Sequence, residues 1–241
     1  MKTIILEPIL HLIIVLPILF LFLRKKDSES FLTAVVFSLY FLINAILVHL
    51  PIDFEKINVL GGNWNWTGKI LGIIGSITFL LIYKKFKLKD YYLTLEQDKS
   101  FIKKGILVVT LLLVLQIIQG LLTGSPKEWS METFLFQLTM PGIQEEIAFR
   151  GIMMGLLVKI LKPSSKSIFH PAIIITSILF GMAHGLILND SLIPSFRLFP
   201  FINTMILGII WGWITLKSGS VLLAVISHNL GNVIQYILRL K

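Results

Sequence analysis

The sequence predicts an all-helical fold, a polytopic bundle of about eight transmembrane helices. Of the 241 residues, 55% are hydrophobic and only 15% are charged, and the mean hydropathy is +0.85. Soluble domains carry about 25% charged residues, so this chain has too little charge to cover itself with a polar shell. The apolar residues also run in long uninterrupted segments, which is typical of membrane-spanning helices.

Composition also excludes several classes of protein. A cytosolic enzyme, a secreted disulfide scaffold and a disordered chain are all incompatible with this hydropathy. The chain has no cysteine, which excludes disulfides, thiolate metal sites and a cysteine nucleophile. The net charge of +9 would suggest nucleic-acid binding in a soluble protein, but in a membrane protein it indicates Lys- and Arg-rich cytoplasmic loops. We therefore expect the lipid bilayer, and no nucleic acid, as a partner.

The apolar segments are each long enough, or nearly so, to cross about 30 Å of hydrocarbon. They lie near residues 4–23, 31–50, 68–83, 103–123, 133–160, 172–188, 200–216 and 219–238. Because the first is followed by Arg24, Lys25 and Lys26 and has no small-residue cleavage site, it is interpreted as a first helix and not as a cleaved signal peptide. The chain then divides into residues 1–130, with helices 1 to 4, and residues 131–241, with helices 5 to 8.

Basic residues are distributed unequally between the two sides of the predicted bundle. The loops after helices 1, 3, 5 and 7 contain Arg24, Lys25, Lys26, Lys84, Lys85, Lys87, Lys89, Lys99, Lys103, Lys104, Lys159, Lys162, Lys166 and Lys217. The opposite side contains Lys2, Lys56, Lys69, Lys127, Arg197, Arg239 and Lys241. Since cytoplasmic loops are enriched in Lys and Arg, we expect the first loop inside and the N-terminus outside. In a bacterium this multi-pass protein would lie in the cell membrane.

Charged residues inside a predicted span indicate where function resides, because they are costly in hydrocarbon. The fifth segment contains Glu145, Glu146 and Arg150. Glu146 and Arg150 are four residues apart, with the acid first, which is the favourable order for an ion pair on a helix. Glu145 is turned by about 100° from Glu146 and lacks that partner, so its carboxylate is expected to be free to act as a base. The alternative is an ion-pair network that only fixes helix packing, but it does not explain the second acid.

Two further segments carry histidines that can reach the same depth. The sixth contains His184, and the eighth contains His228 and Asn232, which share a helix face. A lone buried histidine is more often a hydrogen-bonded core residue than a functional one. Two histidines, an asparagine and an unpaired glutamate on three helices instead indicate one site inside the bundle. The remaining histidines, at positions 11, 49 and 170, lie near segment ends or in a loop, and no role is expected for them.

This set of side chains points to hydrolysis of an acyl bond, most simply a peptide bond near the membrane. A carboxylate and an imidazole can take a proton from water, while a second imidazole and an amide N–H can stabilise the oxyanion. The Glu145, His184 and His228 side chains could instead bind Zn²⁺, as His₂Glu sets do in metallopeptidases. Other routes lack their residues: no span contains an aspartate, and there is neither a His-Glu-x-x-His motif nor a Gly-x-Ser-x-Gly elbow.

The order of these motifs resembles a known family. Glu145-Glu146-x-x-x-Arg150, Phe180-x-x-x-His184 and His228-x-x-x-Asn232 are similar to the motif set of the CAAX protease and bacteriocin-processing family (Abi, or CPBP) of intramembrane proteases. That family is related to the prenyl-protein CAAX endopeptidases. The resemblance covers roughly residues 133–238, and it implies an eight-helix bundle with a conical cavity.

The resemblance also implies a role for each matching residue. Glu145 would activate the water with help from His184, and His228 and Asn232 would form the oxyanion site. The supporting residues would be Glu146, Arg150, Phe180 and Asn229.

The sequence is compatible with two modes of catalysis, with and without a metal. A zinc bound by Glu145, His184 and His228 is one possibility, but a metal-free glutamate mechanism is slightly preferred, because Glu146 is committed to Arg150 and leaves only three ligands.

Three functions fit the sequence to different degrees. The best is an intramembrane endopeptidase that acts on a membrane-associated peptide or precursor, such as a pheromone, a bacteriocin leader or a signal-peptide remnant. The second is a non-proteolytic immunity or regulatory protein of the same family, which loss of Glu145 or His184 would have favoured. The third, an ion or proton transporter, is disfavoured because the sequence shows no internal repeat and no paired Gly- or Pro-broken spans.

Overall fold

A computed structural model describes residues 2–123, 126–162 and 167–240, so the predicted loop charges Lys166 and Lys241 lie outside the described residues. The helices are α1 (Lys2–Leu21), α2 (Ser28–Asp53), α3 (Trp66–Ile82), α4 (Ile102–Thr123), α5 (Met131–Glu146), α6 (Met154–Ile160), α7 (Pro171–Gly185), α8 (Leu198–Ser218) and α9 (Leu222–Ile237). Short 3₁₀ turns cover Glu55–Ile57 and Leu88–Tyr91. The predicted all-helical bundle is confirmed, since every predicted apolar segment is helical over most of its length.

Two local features depart from regular helix. The predicted fifth segment is continuous over α5, a π-helical turn (Ile147–Met153) and α6, and the π turn carries Arg150. The predicted sixth segment ends as a helix at Gly185, and its last three residues form strand β1 (Leu186–Leu188), which pairs antiparallel with β2 (Pro194–Phe196). This hairpin turns at Asn189, whose side-chain oxygen accepts the N–H groups of Ser191 and Ile193.

Several helices are suited to a membrane by length and apolar composition. Within the described residues, four helices qualify as candidate spans, at Thr3–Leu21, Ser28–Asp53, Ile102–Leu122 and Leu198–Ser218. Two shorter apolar helices are Trp66–Ile82 and Pro171–Gly185. Large apolar side chains remain exposed along α1, α2 and α4, as expected for surfaces in contact with lipid. The chain is therefore a membrane protein, and its count of eight spans stays a prediction.

Contacts at the two ends of the bundle join segments that are far apart in the chain. At one end, the Arg24 N–H donates to the Ile160 carbonyl, Lys85 pairs with Glu29, and Lys159 pairs with Asp90. At the opposite end, the following contacts are made: Glu132 accepts the Asn63 N–H and side-chain amide, the Lys127 N–H donates to the Arg239 carbonyl, and Glu7 accepts the Leu188 N–H. The first end carries most of the basic residues and is the predicted cytoplasmic side.

The topology can be tested because the native chain has no cysteine. A cysteine at Lys87, exposed at the basic end, is expected to resist a membrane-impermeant thiol reagent in intact cells and to react after permeabilisation. A cysteine at Val59, which is 80% exposed at the opposite end, serves as the control that should react without permeabilisation. The reverse labelling pattern would show that the predicted orientation is wrong.

Candidate active site

A cavity of about 490 Å³ opens between the N-terminal helices and the later ones. Its wall is formed by side chains of α1, α2, α3, α5, α7, β1 and the π turn. Glu145 and His184, two of the residues expected to activate water, line it together. Glu145 and His184 therefore face a cavity whose wall is supplied in part by the N-terminal half, whereas His228 and Asn232 are not among its lining residues.

Three of the helices that carry the site, α3, α5 and α7, begin at side-chain caps. Ser130 caps α5, where its hydroxyl accepts the Thr133 N–H, and Asn65 caps α3, where its amide oxygen accepts the Gly68 N–H. His170 caps α7 in the same way through the Ala172 N–H, ahead of Pro171 at the first helical position. These caps stabilise the first turns of the helices that carry Lys69, Glu145 and His184.

Glu145 is largely buried and has one paired and one unpaired oxygen. Its side chain is 13% exposed, and Oε1 accepts a hydrogen bond from Lys69 Nζ at 2.5 Å. Oε2 is buried and, within the described residues, has no hydrogen-bond partner. The sequence predicted that Glu145 lacks Arg150 as a partner, and it did not predict the lysine that α3 brings to one of its oxygens. Helix periodicity could not reveal a partner 76 positions away, although a lysine inside an apolar segment was a signal that the sequence offered.

Glu146 forms the predicted pair with Arg150, and it also binds His228. Its Oε1 accepts from Arg150 Nη1 at 3.2 Å and from His228 Nδ1 at 2.9 Å. Both partners of the ion pair are 0% exposed. The Arg150 guanidinium lies 4.2 Å from the centroid of the Phe180 ring, which adds a cation–π contact in a desolvated setting.

His228 lies between the two glutamates. Since a carboxylate can only accept, Nδ1 of His228 carries a proton that it donates to Glu146. Nε2 of the same ring is 3.9 Å from Glu145 Oε2. The ring stacks on Trp211, with centroids 4.3 Å apart and an interplanar angle of 13°, and this packing fixes its plane.

His184 has the same tautomer for a different reason. Its Nδ1 donates to the Phe180 carbonyl at 2.8 Å, which leaves Nε2 as the acceptor in the neutral ring. The Phe180 ring packs edge-on against His184, with centroids 4.7 Å apart, and also contacts the His228 and Arg150 side chains. Phe180 thus separates the two histidines and holds both in place.

The two asparagines of α9 are placed differently. The Asn229 side chain accepts the Gly142 N–H at 2.7 Å and donates to the Thr139 carbonyl at 3.1 Å. These bonds flank Pro141, which has no N–H to donate within the helix, and so they reinforce α5 just before Glu145. Asn232 is half-buried one turn after His228, and its side chain has no hydrogen-bond partner among the described residues. No side-chain hydrogen bond or ion pair joins Asn232 to the other site residues within that part of the chain.

The side chains do not fit a zinc site in this arrangement. Within the described ranges, no group of three or more His, Asp or Glu side chains is placed to hold a metal ion. The expected set was Glu145, His184 and His228, but the Lys69 ammonium occupies one oxygen of Glu145. A cation at that oxygen opposes binding of a second, divalent cation.

Comparison with known families matches the second half of the chain. Residues 127–234 match the family model described as type II CAAX prenyl endopeptidase Rce1-like. The chain carries a Rce1-like CAAX endopeptidase domain. No curated protein and no solved structure matched the chain. The Rce1-like domain contains every site residue expected from the sequence, from Glu145 to Asn232, whereas Lys69 lies outside it. This match, which covers less than half of the chain, supports protease activity of the CAAX endopeptidase type.

Proposed function

We propose that this protein is a multi-pass intramembrane endopeptidase that hydrolyses a peptide bond of a membrane-associated peptide or precursor. The observation that carries the proposal is the unpaired Oε2 of Glu145, which is buried beside a cavity and lies 3.9 Å from His228 Nε2. A buried carboxylate oxygen without a partner is costly, and a water held at this point would satisfy it. Such a water is the nucleophile of the proposed reaction.

The first step transfers a proton from water to Glu145. Oε2 accepts the proton while the water oxygen bonds to the carbonyl carbon of the substrate, and the carbonyl π electrons move to oxygen. His184 assists through Nε2, which can accept the second O–H of the same water. Collapse of the tetrahedral intermediate breaks the C–N bond, and Glu145 returns its proton to the leaving amine.

The oxyanion of that intermediate requires hydrogen-bond donors. We assign this role to His228 and Asn232. His228 Nε2 donates when the ring carries a second proton, and the Glu146 carboxylate at Nδ1 balances the charge of that ring. The Asn232 amide donates through an N–H that has no partner among the described side chains.

The proposed substrates follow from the setting of the cavity. It is bounded by helices whose outer faces carry exposed apolar side chains, so a peptide would enter from the bilayer or its surface. Pheromone precursors, bacteriocin leaders and signal-peptide remnants have this character. If the source is bacterial, the protease would act in the cell membrane.

The decisive experiment is cleavage of quenched fluorescent peptides that contain an apolar segment, by the purified protein in detergent. We expect cleavage at one internal bond, and in water enriched in ¹⁸O a single heavy oxygen in the new carboxyl terminus. Binding of the same peptides without cleavage would instead favour the immunity or regulatory function.

We further propose that the reaction needs no metal. The supporting observation is the Lys69 ammonium on Glu145, together with Glu146 committed to Arg150 and His228. Activity is therefore expected to survive exhaustive dialysis against a strong zinc chelator. About one zinc per chain in the active protein, with activity lost on chelation and restored by Zn²⁺, would reverse this assignment.

A further inference from the structure

Lys69 places a positive charge beside Glu145, the proposed base. Among the described residues that line the cavity, it is the one lysine or arginine. Its side chain is 12% exposed, and Nζ donates to Glu145 Oε1 at 2.5 Å and to Gln144 Oε1 at 3.0 Å. A lysine within an apolar helix is costly unless it is paired, and these two acceptors supply the pairing.

A chain of buried polar groups holds Gln144, one of the two acceptors of Lys69, in place. The Gln144 amide donates to Asn44 Oδ1 at 3.1 Å, and the Asn44 amide donates to the Gly72 carbonyl at 3.4 Å. Both side chains are almost fully buried. The chain joins α2 and α3 to the turn of α5 that precedes Glu145, so the placement of Lys69 depends on the packing of the N-terminal helices.

The ammonium contacts only one of the two carboxylate oxygens. The last torsion of a glutamate side chain is soft, and in an open site the carboxylate would rotate. With Oε1 held by Lys69, Oε2 is the oxygen that faces His228 Nε2. The contact between Lys69 and Oε1 therefore leaves Oε2 as the oxygen of Glu145 that binds the nucleophilic water.

We propose that Lys69 is a positioning residue for Glu145: it holds Oε1 so that Oε2 alone accepts the proton, and the N-terminal helices thereby complete the active site of the Rce1-like domain. This inference rests on the proposed function. It assigns a part in the reaction to a residue outside the matched range 127–234.

The test measures kcat and KM separately for Lys69→Met, Lys69→Gln and Lys69→Arg, with Lys56→Met as the control at an exposed site of the same end. Loss of the ammonium misplaces the base, so Met and Gln are expected to lower kcat by roughly 10²-fold with KM little changed. Arg keeps the charge and is expected to retain most of the activity.

The proposal is overturned if Lys69→Gln turns over substrate as fast as the native protein or faster, or if Lys69→Arg loses as much kcat as Lys69→Gln. Should Lys69→Met fail to fold, the Gln and Arg variants decide, since both retain a polar group that can reach Gln144 and Glu145.

Melting temperatures separate this inference from the proposed function. Lys69→Met leaves a buried carboxylate unpaired, so it is expected to destabilise the protein much less when Glu145→Gln is already present. If the native protein cleaves no peptide, the proposed function is wrong. A double variant that is less destabilised than the sum of its two single variants would still support the pairing of Lys69 with Glu145. Additive shifts would overturn the positioning role.

Discussion

Replacement of Glu145 by glutamine is expected to lower kcat by roughly 10²-fold or more, with little change in thermal stability or in substrate affinity. The amide keeps the shape of the side chain, and its oxygen can still accept the hydrogen bond from Lys69. The glutamine side chain cannot take a proton from water, because neither its amide nitrogen nor its amide oxygen is a base at neutral pH. The measurements are turnover of a fluorogenic peptide and a melting curve in one detergent.

Glu96→Gln is the matched control for this variant. Glu96 is exposed at the basic end of the bundle, where its carboxylate pairs with Lys89, and its loss should leave turnover unchanged. Full activity in Glu145→Gln would show that another group removes the proton, and that Glu145 is a structural partner of Lys69.

Removal of Glu146 is expected to destabilise the fold by about 3–5 kcal/mol, because it leaves a buried guanidinium without its counter-charge. Arg150→Ala should have a similar effect, since it leaves the buried Glu146 carboxylate without the arginine that balances its charge. The double variant should be less destabilised than the sum of the two, as expected for residues in direct contact. Melting curves in one detergent measure all three.

A surface pair provides the comparison. Lys85 and Glu29 also form a salt bridge, but the Glu29 side chain is 70% exposed, and truncating either residue should shift the melting temperature little. Additive destabilisation at positions 146 and 150 would show that the buried contact is not the source of the effect. Glu146→Ala should also lower turnover, because His228 loses the acceptor of its Nδ1 proton.

Sequence periodicity predicted the parts of the site that are local in the chain. The Glu146–Arg150 pair was predictable because residues four apart on a helix are neighbours, and the helices themselves were predictable from the length of the apolar segments. The three motifs also predicted that Glu145, His184 and His228 come together; in the structure Glu145 Oε2 lies 3.9 Å from His228 Nε2, and Glu145 and His184 line the same cavity.

Contacts between helices far apart in the chain were not predictable. Lys69 was counted with the loop charges because, in the sequence, a basic residue near the start of a helix looks the same whether it lies at the membrane interface or points into the bundle. The rotation of α9 about its axis decides which oxygen of Glu146 accepts from His228. It also decides which side-chain amide of α9 accepts the Gly142 N–H. A single sequence does not determine that rotation. The hairpin was missed because strands of three residues are too short to show a period of two.

The bonds from Asn229 to the backbone around Pro141 have a consequence for biogenesis. The helix that carries the base is reinforced there by a side chain 87 positions further along the chain, on the same helix that supplies His228. During synthesis, α5 enters the membrane well before α9 does. If the proposed function holds, the nascent protein would lack both this reinforcement of α5 and the His228 imidazole until α9 has docked, so hydrolysis would begin only in the fully inserted chain.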